Sequence, residues 1–208
     1  KLLEKGVVDL KDLTPIRPNL YLWQGDITRL AVDAIVNAAN SKLLGCFVPN
    51  HSCIDNAIHT AAGVELRLAC QELMQEQGED ETTGQAKMTK AYNLPSRYVL
   101  HTVGPIIYDE VTDLERQQLA SSYEECLNLA YEKGLRSLAF CCISTGEFRF
   151  PNEEAAKIAI ETVLQFQKEH PDMVVIFNVF KDIDYTIYQA LLKNQCFYIE
   201  IADGCNRQ

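Results

Sequence analysis

Short apolar runs alternate with longer segments of helical spacing along most of this sequence. Helical periodicity predicts helices over residues 54–77, 114–133, 153–169 and 183–193, with the first interrupted or kinked at Gly63. The apolar runs predict strands at residues 20–24, 34–36, 85–90, 98–103, 135–143 and 173–180, and a short edge strand at 196–201. Regular strand–helix alternation predicts an α/β fold with helices on both faces of a largely parallel sheet.

The length of 208 residues and the hydrophobic content of 47% are typical of one globular domain with a sizeable core. Residues 1–18, which contain Pro15 and Pro18, are interpreted as an N-terminal surface extension, and residues 19–208 as the domain. No apolar run reaches the length of a membrane span, and we see no secretion signal. We therefore expect no membrane partner, and separately we expect a monomer.

Net charge and cysteine content limit the possible partners and the cellular location of the protein. A net charge of −10 argues against the broad basic surface of a duplex nucleic-acid binder. Eight cysteines without a secretion signal favour a reducing, cytoplasmic location, where metal binding is more common than a disulfide framework.

Three candidate metal ligands, Cys46, His51 and Cys53, lie within the segment Cys-Phe-Val-Pro-Asn-His-Ser-Cys. Two thiolates and one imidazole suit Zn²⁺, which normally takes four ligands in a tetrahedron. No fourth ligand lies nearby in the sequence, and an open position is what a metal needs to hold water or substrate. The segment therefore predicts a Zn²⁺ cofactor at the reaction centre.

Two other interpretations of this segment bear on the choice. The thiols and the histidine could lie near one another by chance, because free cysteine is common in protein cores. Cytidine-deaminase chemistry is disfavoured, because it needs a glutamate two residues after the histidine and a later Pro-Cys-x-x-Cys run. Here Cys53 follows His51 at that offset, and the run is missing from the sequence.

Polar residues follow several of the predicted strands, where ligands of open α/β sheets bind. An aspartate in the position of Asp26 commonly caps a helix, but its carboxylate could also accept from an exocyclic amine. Asn40 can donate and accept toward ribose hydroxyls, and Gly146 lets backbone N–H groups converge on an anion. Gly-x-Gly-x-x-Gly and Walker lysine motifs do not occur, which excludes the familiar dinucleotide and phosphate-loop patterns.

In this order, these segments resemble the macrodomain family of ADP-ribose binders over about residues 19–193. The matching segments are Gly-Asp-Ile-Thr, Ala-Ile-Val-Asn-Ala-Ala-Asn-Ser, Ile-Asp-Asn-Ala-Ile-His-Thr-Ala-Ala-Gly, Thr-Gly-Gln-Ala-Lys, Leu-His-Thr-Val-Gly-Pro and Ile-Ser-Thr-Gly-Glu-Phe-Arg-Phe-Pro. The resemblance implies a three-layer α/β/α sandwich around a mixed, largely parallel sheet of about six strands.

The resemblance also implies a role for each strand-end residue. Asp26 would hold the adenine amine, Ile27 would support it from the backbone, and Phe180 or Asn178 would border the ring. Asn40 would face the distal ribose. The pyrophosphate and the distal ribose would be held by Ser144, Thr145, Gly146, Glu147 and Phe148, the last packing on the ribose.

The segment between Leu44 and Asp55 departs from hydrolytic macrodomains, which carry a glycine-rich run there. It is similar instead to a zinc-dependent microbial branch, often encoded beside a sirtuin-type ADP-ribosyltransferase and lipoate-related carrier proteins. That branch implies a hydrolase that removes ADP-ribose from mono-ADP-ribosylated proteins, through an ester to an acidic side chain, with a lipoyl-carrier-like substrate. Asp55 matches the family's catalytic aspartate, and Asn40 is the second predicted catalytic residue.

Other functions stay open at this point. The chain could be a non-catalytic ADP-ribose reader whose zinc is structural, or a scaffold. It could also act on O-acetyl-ADP-ribose or on nucleic-acid-linked ADP-ribose. His59 and His101 are interpreted as structural, with His59 a hydrogen-bonded core histidine or, one turn after Asp55, a residue that supports it.

Overall fold

The strand–helix alternation is present in the computed structural model, which describes residues 6–48 and 50–205, the stretch 195–205 by its backbone alone. The strands are β1 (Val8–Asp9), β2 (Leu20–Gln24), β3 (Leu30–Ala31), β4 (Ala34–Ala38), β5 (Ala86–Lys90), β6 (Tyr98–Thr102), β7 (Ser137–Phe140) and β8 (Val174–Val179). The helices are α1 (Ile54–Ala62), α2 (Val64–Gln77), α3 (Asp113–Glu132), α4 (Asn152–Glu169) and α5 (Asp182–Cys205).

Six strands form the central sheet in the order β2-β8-β7-β4-β6-β5. Neighbouring strands are parallel except β5, which is antiparallel to β6. Helices α1 and α2 pack together and against β4 and β5, whereas α3, α4 and α5 pack against one another in sequence. The predicted α/β/α sandwich with a mixed, largely parallel sheet is confirmed.

Buried apolar side chains pack the central sheet against the helices on its faces. Ala34, Ile35 and Val36 of β4 have no exposed surface, as expected for a strand covered on both faces. On α3, Leu119 and Leu127 are equally buried on the stripe that the helical spacing predicts. Burying each such leucine stabilises the folded state by about 1.5–3 kcal/mol relative to leaving it exposed.

Asp33, just before β4, joins the starts of three strands. Its carboxylate accepts from the backbone N–H groups of Arg136 (2.8 Å) and Ser137 (3.1 Å) and from the guanidinium of Arg97 (3.0 Å). Burial alone would raise the pKa of Asp33, but these hydrogen bonds together leave it lowered. These hydrogen bonds hold together the amino ends of β4, β6 and β7. The carboxyl ends of the same strands lead into the predicted ligand-binding segments.

The helix break at Gly63 is confirmed: its φ of +93° separates α1 from α2. The predicted edge strand at 196–201 is wrong, because α5 continues to Cys205. Aromatic and β-branched residues favoured a strand there, but the sequence has no glycine or proline from 183 to 203 to end the helix.

The predicted extension is partly docked on the domain. Val8 and Asp9 pair in parallel with Leu30 and Ala31 of β3, and residues 1–5 lie outside the described part. Among the described residues, none of the helices is long and apolar enough to cross a membrane.

Candidate active site

The predicted ligand-binding segments all follow strands of the central sheet. Because β2, β8, β7, β4 and β6 are parallel, their carboxyl ends meet at one edge of the sheet. Asp26, Phe180, Ser144, Asn40 and Gly104 follow these five strands in that spatial order. The fold therefore brings the separate sequence segments to one edge.

At the β2 end, Asp26 caps the short turn Ile27–Arg29. Its carboxylate accepts from the backbone N–H of Thr28 at 3.1 Å and from the Thr28 hydroxyl at 2.6 Å. Ile27 as a whole residue is 1% exposed, so its side chain lies in the core. Asn178 is buried and donates to the Gly25 carbonyl at 3.0 Å, whereas Phe180 is exposed.

The loop of residues 144–148 follows β7 and has an unusual backbone. Ser144 adopts a φ of +66°, and its carbonyl accepts from Phe150 N–H at 2.9 Å. Its hydroxyl is buried without a hydrogen-bond partner in the described part of the chain. The Thr145 hydroxyl donates to the Cys142 carbonyl at 3.1 Å, and Gly146 is exposed.

Gly104, after β6, lies against the same loop. A Cβ at this position would stand 2.1 Å from the Ser144 hydroxyl oxygen and 2.7 Å from a methyl of Ile143. Only glycine allows that approach without displacing the loop.

Cys46, His51 and Cys53 come together as predicted. Their ligand atoms all lie within 4.8 Å of one another, and Cys46 Sγ is 3.3 Å from His51 Nδ1. Cys53 caps α1 by accepting from Asn56 N–H, while the Asn56 amide donates to the His51 carbonyl at 2.8 Å. The start of α1 therefore fixes the loop that carries the three candidate ligands.

The two thiols of this group differ in acidity. The Val48 N–H and then His51 lower the pKa of Cys46, whereas burial raises that of Cys53. Contacts with Cys46 and Glu147 raise the pKa of His51. Cys46 is thus the first of the two thiols to ionise, and a thiolate is the form that binds metal.

Asp55 lies in the first turn of α1 and is 5% exposed. The amide of Asn37 donates to its Oδ1 at 2.8 Å, and His59 Nε2 stands 3.4 Å from the same oxygen. Burial raises the pKa of Asp55, against the lowering effect of the Asn37 hydrogen bond.

A buried chain of polar groups stands behind Asn37. Asn37 and His101 are register partners on β4 and β6, and the Asn37 amide nitrogen is 3.2 Å from His101 Nδ1. Because that amide nitrogen can only donate, Nδ1 accepts, and the proton is on Nε2, which is 2.9 Å from the Thr89 hydroxyl. Burial lowers the pKa of His101 to about 3, so the ring is neutral.

His59 and Asn40 differ from their sequence interpretation in detail. His59 is buried as expected, but neither ring nitrogen makes a hydrogen bond among the described residues, so it is not the hydrogen-bonded core histidine of the first interpretation. Its Nε2 instead stands 3.4 Å from Asp55 Oδ1, which fits the alternative of a residue beside Asp55. The Asn40 amide donates to the Gly45 carbonyl at 3.2 Å, and its oxygen accepts from Lys42 N–H at 3.0 Å. Asn40 therefore supports the base of the loop that carries Cys46, His51 and Cys53.

Sequence reasoning gave no role to Asn37, Thr89 or Gly104. For Asn37 a signal existed, since a polar side chain inside a fully apolar strand is uncommon without a partner. Thr89 and Gly104 gave no such signal, because their roles depend on contacts across strands.

Comparison with known proteins identifies the family. The sequence model described as "Macro domain" matches residues 36–159. The chain belongs to the macrodomain family. Like the fold, the family that the sequence resembles is confirmed.

This macrodomain is similar in sequence to a named hydrolase and in structure to solved macrodomains. It is 54% identical to a "Protein-ADP-ribose hydrolase" of Treponema medium over 194 residues, which cover 91% of this chain and 74% of that protein. Among solved structures, a mutant Oceanobacillus iheyensis macrodomain with ADPR superposes with a TM-score of 0.80 at 42% identity, covering 88% and 97% of the chains. A Trypanosoma brucei macrodomain in complex with ADP-ribose gives 0.78 at 35% identity, covering 89% and 77%.

Proposed function

We propose that this macrodomain is an enzyme that hydrolyses the bond between ADP-ribose and mono-ADP-ribosylated proteins. The relative named as a protein-ADP-ribose hydrolase and the neighbours titled with ADP-ribose support this proposal. The observation that carries it is a buried carboxylate, Asp55, two residues beyond the Cys46–His51–Cys53 group and held by Asn37.

ADP-ribose would lie along the carboxyl edge of the sheet. The adenine would sit at Asp26, the pyrophosphate on the N–H groups of residues 144–148, and the distal ribose near Asn40 and Phe148. This order follows the spatial order of the strands, so one extended ligand could reach all three places.

The reaction we propose is hydrolysis of an ester between the distal ribose and an acidic side chain of the substrate protein. Asp55 orients a water molecule and takes its proton as the water oxygen bonds to the ester-bearing carbon of the distal ribose. The bond from that carbon to the carboxyl oxygen breaks, the carboxylate leaves with the electron pair, and the proton then passes from Asp55 to solvent. Asn37 fixes Oδ1 of Asp55, so the carboxylate is positioned before the substrate binds. The products are free ADP-ribose and the unmodified carboxylate.

Cys46, His51 and Cys53 would hold zinc. On a tetrahedral ion with Zn–S and Zn–N distances near 2.3 and 2.0 Å, ligand atoms lie roughly 3.5–3.8 Å apart. The observed ligand atoms all lie within 4.8 Å of one another, and one pair is already at 3.3 Å, so small side-chain shifts would bring the group to this geometry. Bound there, zinc would supply positive charge and an open coordination position beside the distal ribose, although two thiolates offset much of its charge.

Metal analysis combined with a hydrolysis assay on an ADP-ribosylated protein tests the proposal. Wild-type protein should contain zinc and release ADP-ribose, whereas a chelator or Cys53→Ala should remove both properties. Cys126→Ala is the matched control, since Cys126 is fully buried on α3, away from the group.

Other results would point to the alternatives. Tight ADP-ribose binding without release from any modified protein would identify a reader. Faster release from O-acetyl-ADP-ribose or from ADP-ribosylated nucleic acid would change the substrate class.

A further inference from the structure

Glu147 contacts the metal-binding group from another loop. Its Oε1 lies 3.2 Å from His51 Nε2, although 74% of the Glu147 side chain is exposed, against 28% for His51. Glu147 belongs to the loop after β7, whereas His51 lies between β4 and α1. The contact therefore joins two loops that follow neighbouring strands.

The two nitrogens of His51 face different partners. Nδ1 is 3.3 Å from Cys46 Sγ and so faces the metal group, while Nε2 faces the carboxylate. A carboxylate can only accept, so Nε2 carries the proton and Nδ1 keeps its lone pair for a metal. Glu147 stands behind the ring, so it orients the ligand and is not itself a fourth ligand in this position.

We propose that Glu147 is a positioning residue: it orients His51 for metal binding and thereby ties the metal-binding loop to the 144–148 loop. Carboxylates that accept from the second nitrogen of a metal-bound histidine fix its tautomer and ring orientation. The inference rests on the proposed metal group and deepens it by linking metal occupancy to the proposed phosphate-binding loop.

Without metal, this exposed contact between His51 and Glu147 contributes little to stability, because water competes with it and screens it. Metal binding at Nδ1 makes the Nε2 proton a stronger donor, so the hydrogen bond to Glu147 strengthens when the ion is present. The 144–148 loop should then be better ordered with metal than without it. By linkage, a loop ordered for pyrophosphate would in turn favour metal binding.

Zinc affinity, measured by competition with a chromophoric chelator, tests the orienting role. Glu147→Ala should weaken zinc binding about tenfold, within the range known for such supporting residues. Glu147→Gln should weaken it less, because its amide oxygen still accepts from Nε2–H. Glu132→Ala is the control: it removes one exposed glutamate at the end of α3, near the opposite edge of the sheet, and should leave zinc affinity unchanged.

Hydrogen exchange of the backbone amides at 145–149, with zinc alone as the probe, tests the link between the loops. Zinc should slow exchange in wild-type protein and in Glu132→Ala, but much less in Glu147→Ala. Equal zinc affinity in wild type and Glu147→Ala, equal protection in both, or no zinc binding by the wild type would overturn the inference. Thermal melting of the metal-free variants checks that each is folded.

These measurements contain no ADP-ribose, so the two proposals can fail separately. A protein that hydrolyses no substrate yet shows Glu147-dependent zinc binding would refute the proposed function alone. A Glu147→Ala variant with wild-type zinc affinity and normal hydrolysis would refute the role of Glu147 alone.

Discussion

Asn37 donates a hydrogen bond to Oδ1 of Asp55 across 2.8 Å, and this contact ties the central sheet to the first turn of α1. Both residues are buried, so the amide replaces water that the carboxylate would otherwise bind. The position of the proposed base is therefore set by β4 as much as by its own helix.

Asn37→Ala should lower turnover far more than ADP-ribose affinity. Removing the partner of a buried charged group costs about 2–3 kcal/mol, which corresponds to a loss of roughly 30–150-fold if it appears in the chemical step. Steady-state kinetics with calorimetric ADP-ribose titration would measure both. Normal turnover in this variant would show that Asp55 does not depend on Asn37.

Thr89→Val should also lower turnover, although Thr89 reaches Asp55 only through His101 and Asn37. It removes the hydroxyl 2.9 Å from His101 Nε2 and leaves only the weaker acceptor Cys70 Sγ at 3.7 Å, so His101 is less firmly held and can turn and release Asn37. We expect a turnover loss of several-fold together with about 1–2 kcal/mol of lost stability.

Ser122→Ala is the matched control for Thr89→Val. Ser122 is a fully buried residue on α3 whose hydroxyl donates a long hydrogen bond to the Val103 carbonyl at 3.4 Å. It should lose some stability without losing turnover, as followed by urea unfolding and kinetics. Equal effects of the two variants on turnover would argue against a chain from Thr89 to Asp55.

The sheet was predictable because its strands are apolar and separated by clear helical periodicity. β2 has the predicted bounds, and Gly63 breaks the first helical segment as expected. The end of α5 was not predictable from propensity, since the run after Asn194 has a strand-like composition but directly continues a helix.

Asp33→Asn should destabilise the protein in a pH-dependent way. The folded state lowers the pKa of Asp33 below its ordinary value of 3.8, so its stabilisation is present above that value. It disappears as the pH falls through the lower folded pKa. Wild type should thus exceed the variant by about 1–2 kcal/mol at neutral pH, with the difference shrinking below pH 3.8.

Urea unfolding of both proteins across acidic to neutral pH measures this difference. Asp109→Asn is the control, because Asp109 is exposed, and its stability difference from wild type should be small at every pH. A constant difference between wild type and Asp33→Asn down to the lowest pH would contradict the assignment.

Gly104→Ala should impair ADP-ribose binding. Its Cβ would overlap the Ser144 hydroxyl, so the 144–148 loop must move, at a cost of about 1–3 kcal/mol. ADP-ribose affinity, measured by calorimetry, should fall about tenfold or more if most of that cost falls on the bound state.

Gly134→Ala provides the comparison for Gly104→Ala. A Cβ there meets nothing within 4 Å, but its φ of +75° makes alanine strained. It should lose about 1 kcal/mol of stability and keep its ADP-ribose affinity. Unchanged affinity in Gly104→Ala would mean that the loop does not hold the ligand.

The candidate site was only partly predictable from the sequence. Cys46, His51 and Cys53 are close in sequence, so their convergence follows from a short loop. The contacts of Asn37 with His101 and of His51 with Glu147 join residues 64 and 96 positions apart. Such pairs are set by strand order and register, which the apolar pattern leaves open.

Zinc titration into metal-free wild-type protein, followed by ADP-ribose release from a mono-ADP-ribosylated protein, tests the central claim most directly. The rate should rise in proportion to added zinc and level off at about one equivalent per chain, as expected for one site with three protein ligands. Full activity of the metal-free protein, with no response to zinc, would contradict the claim.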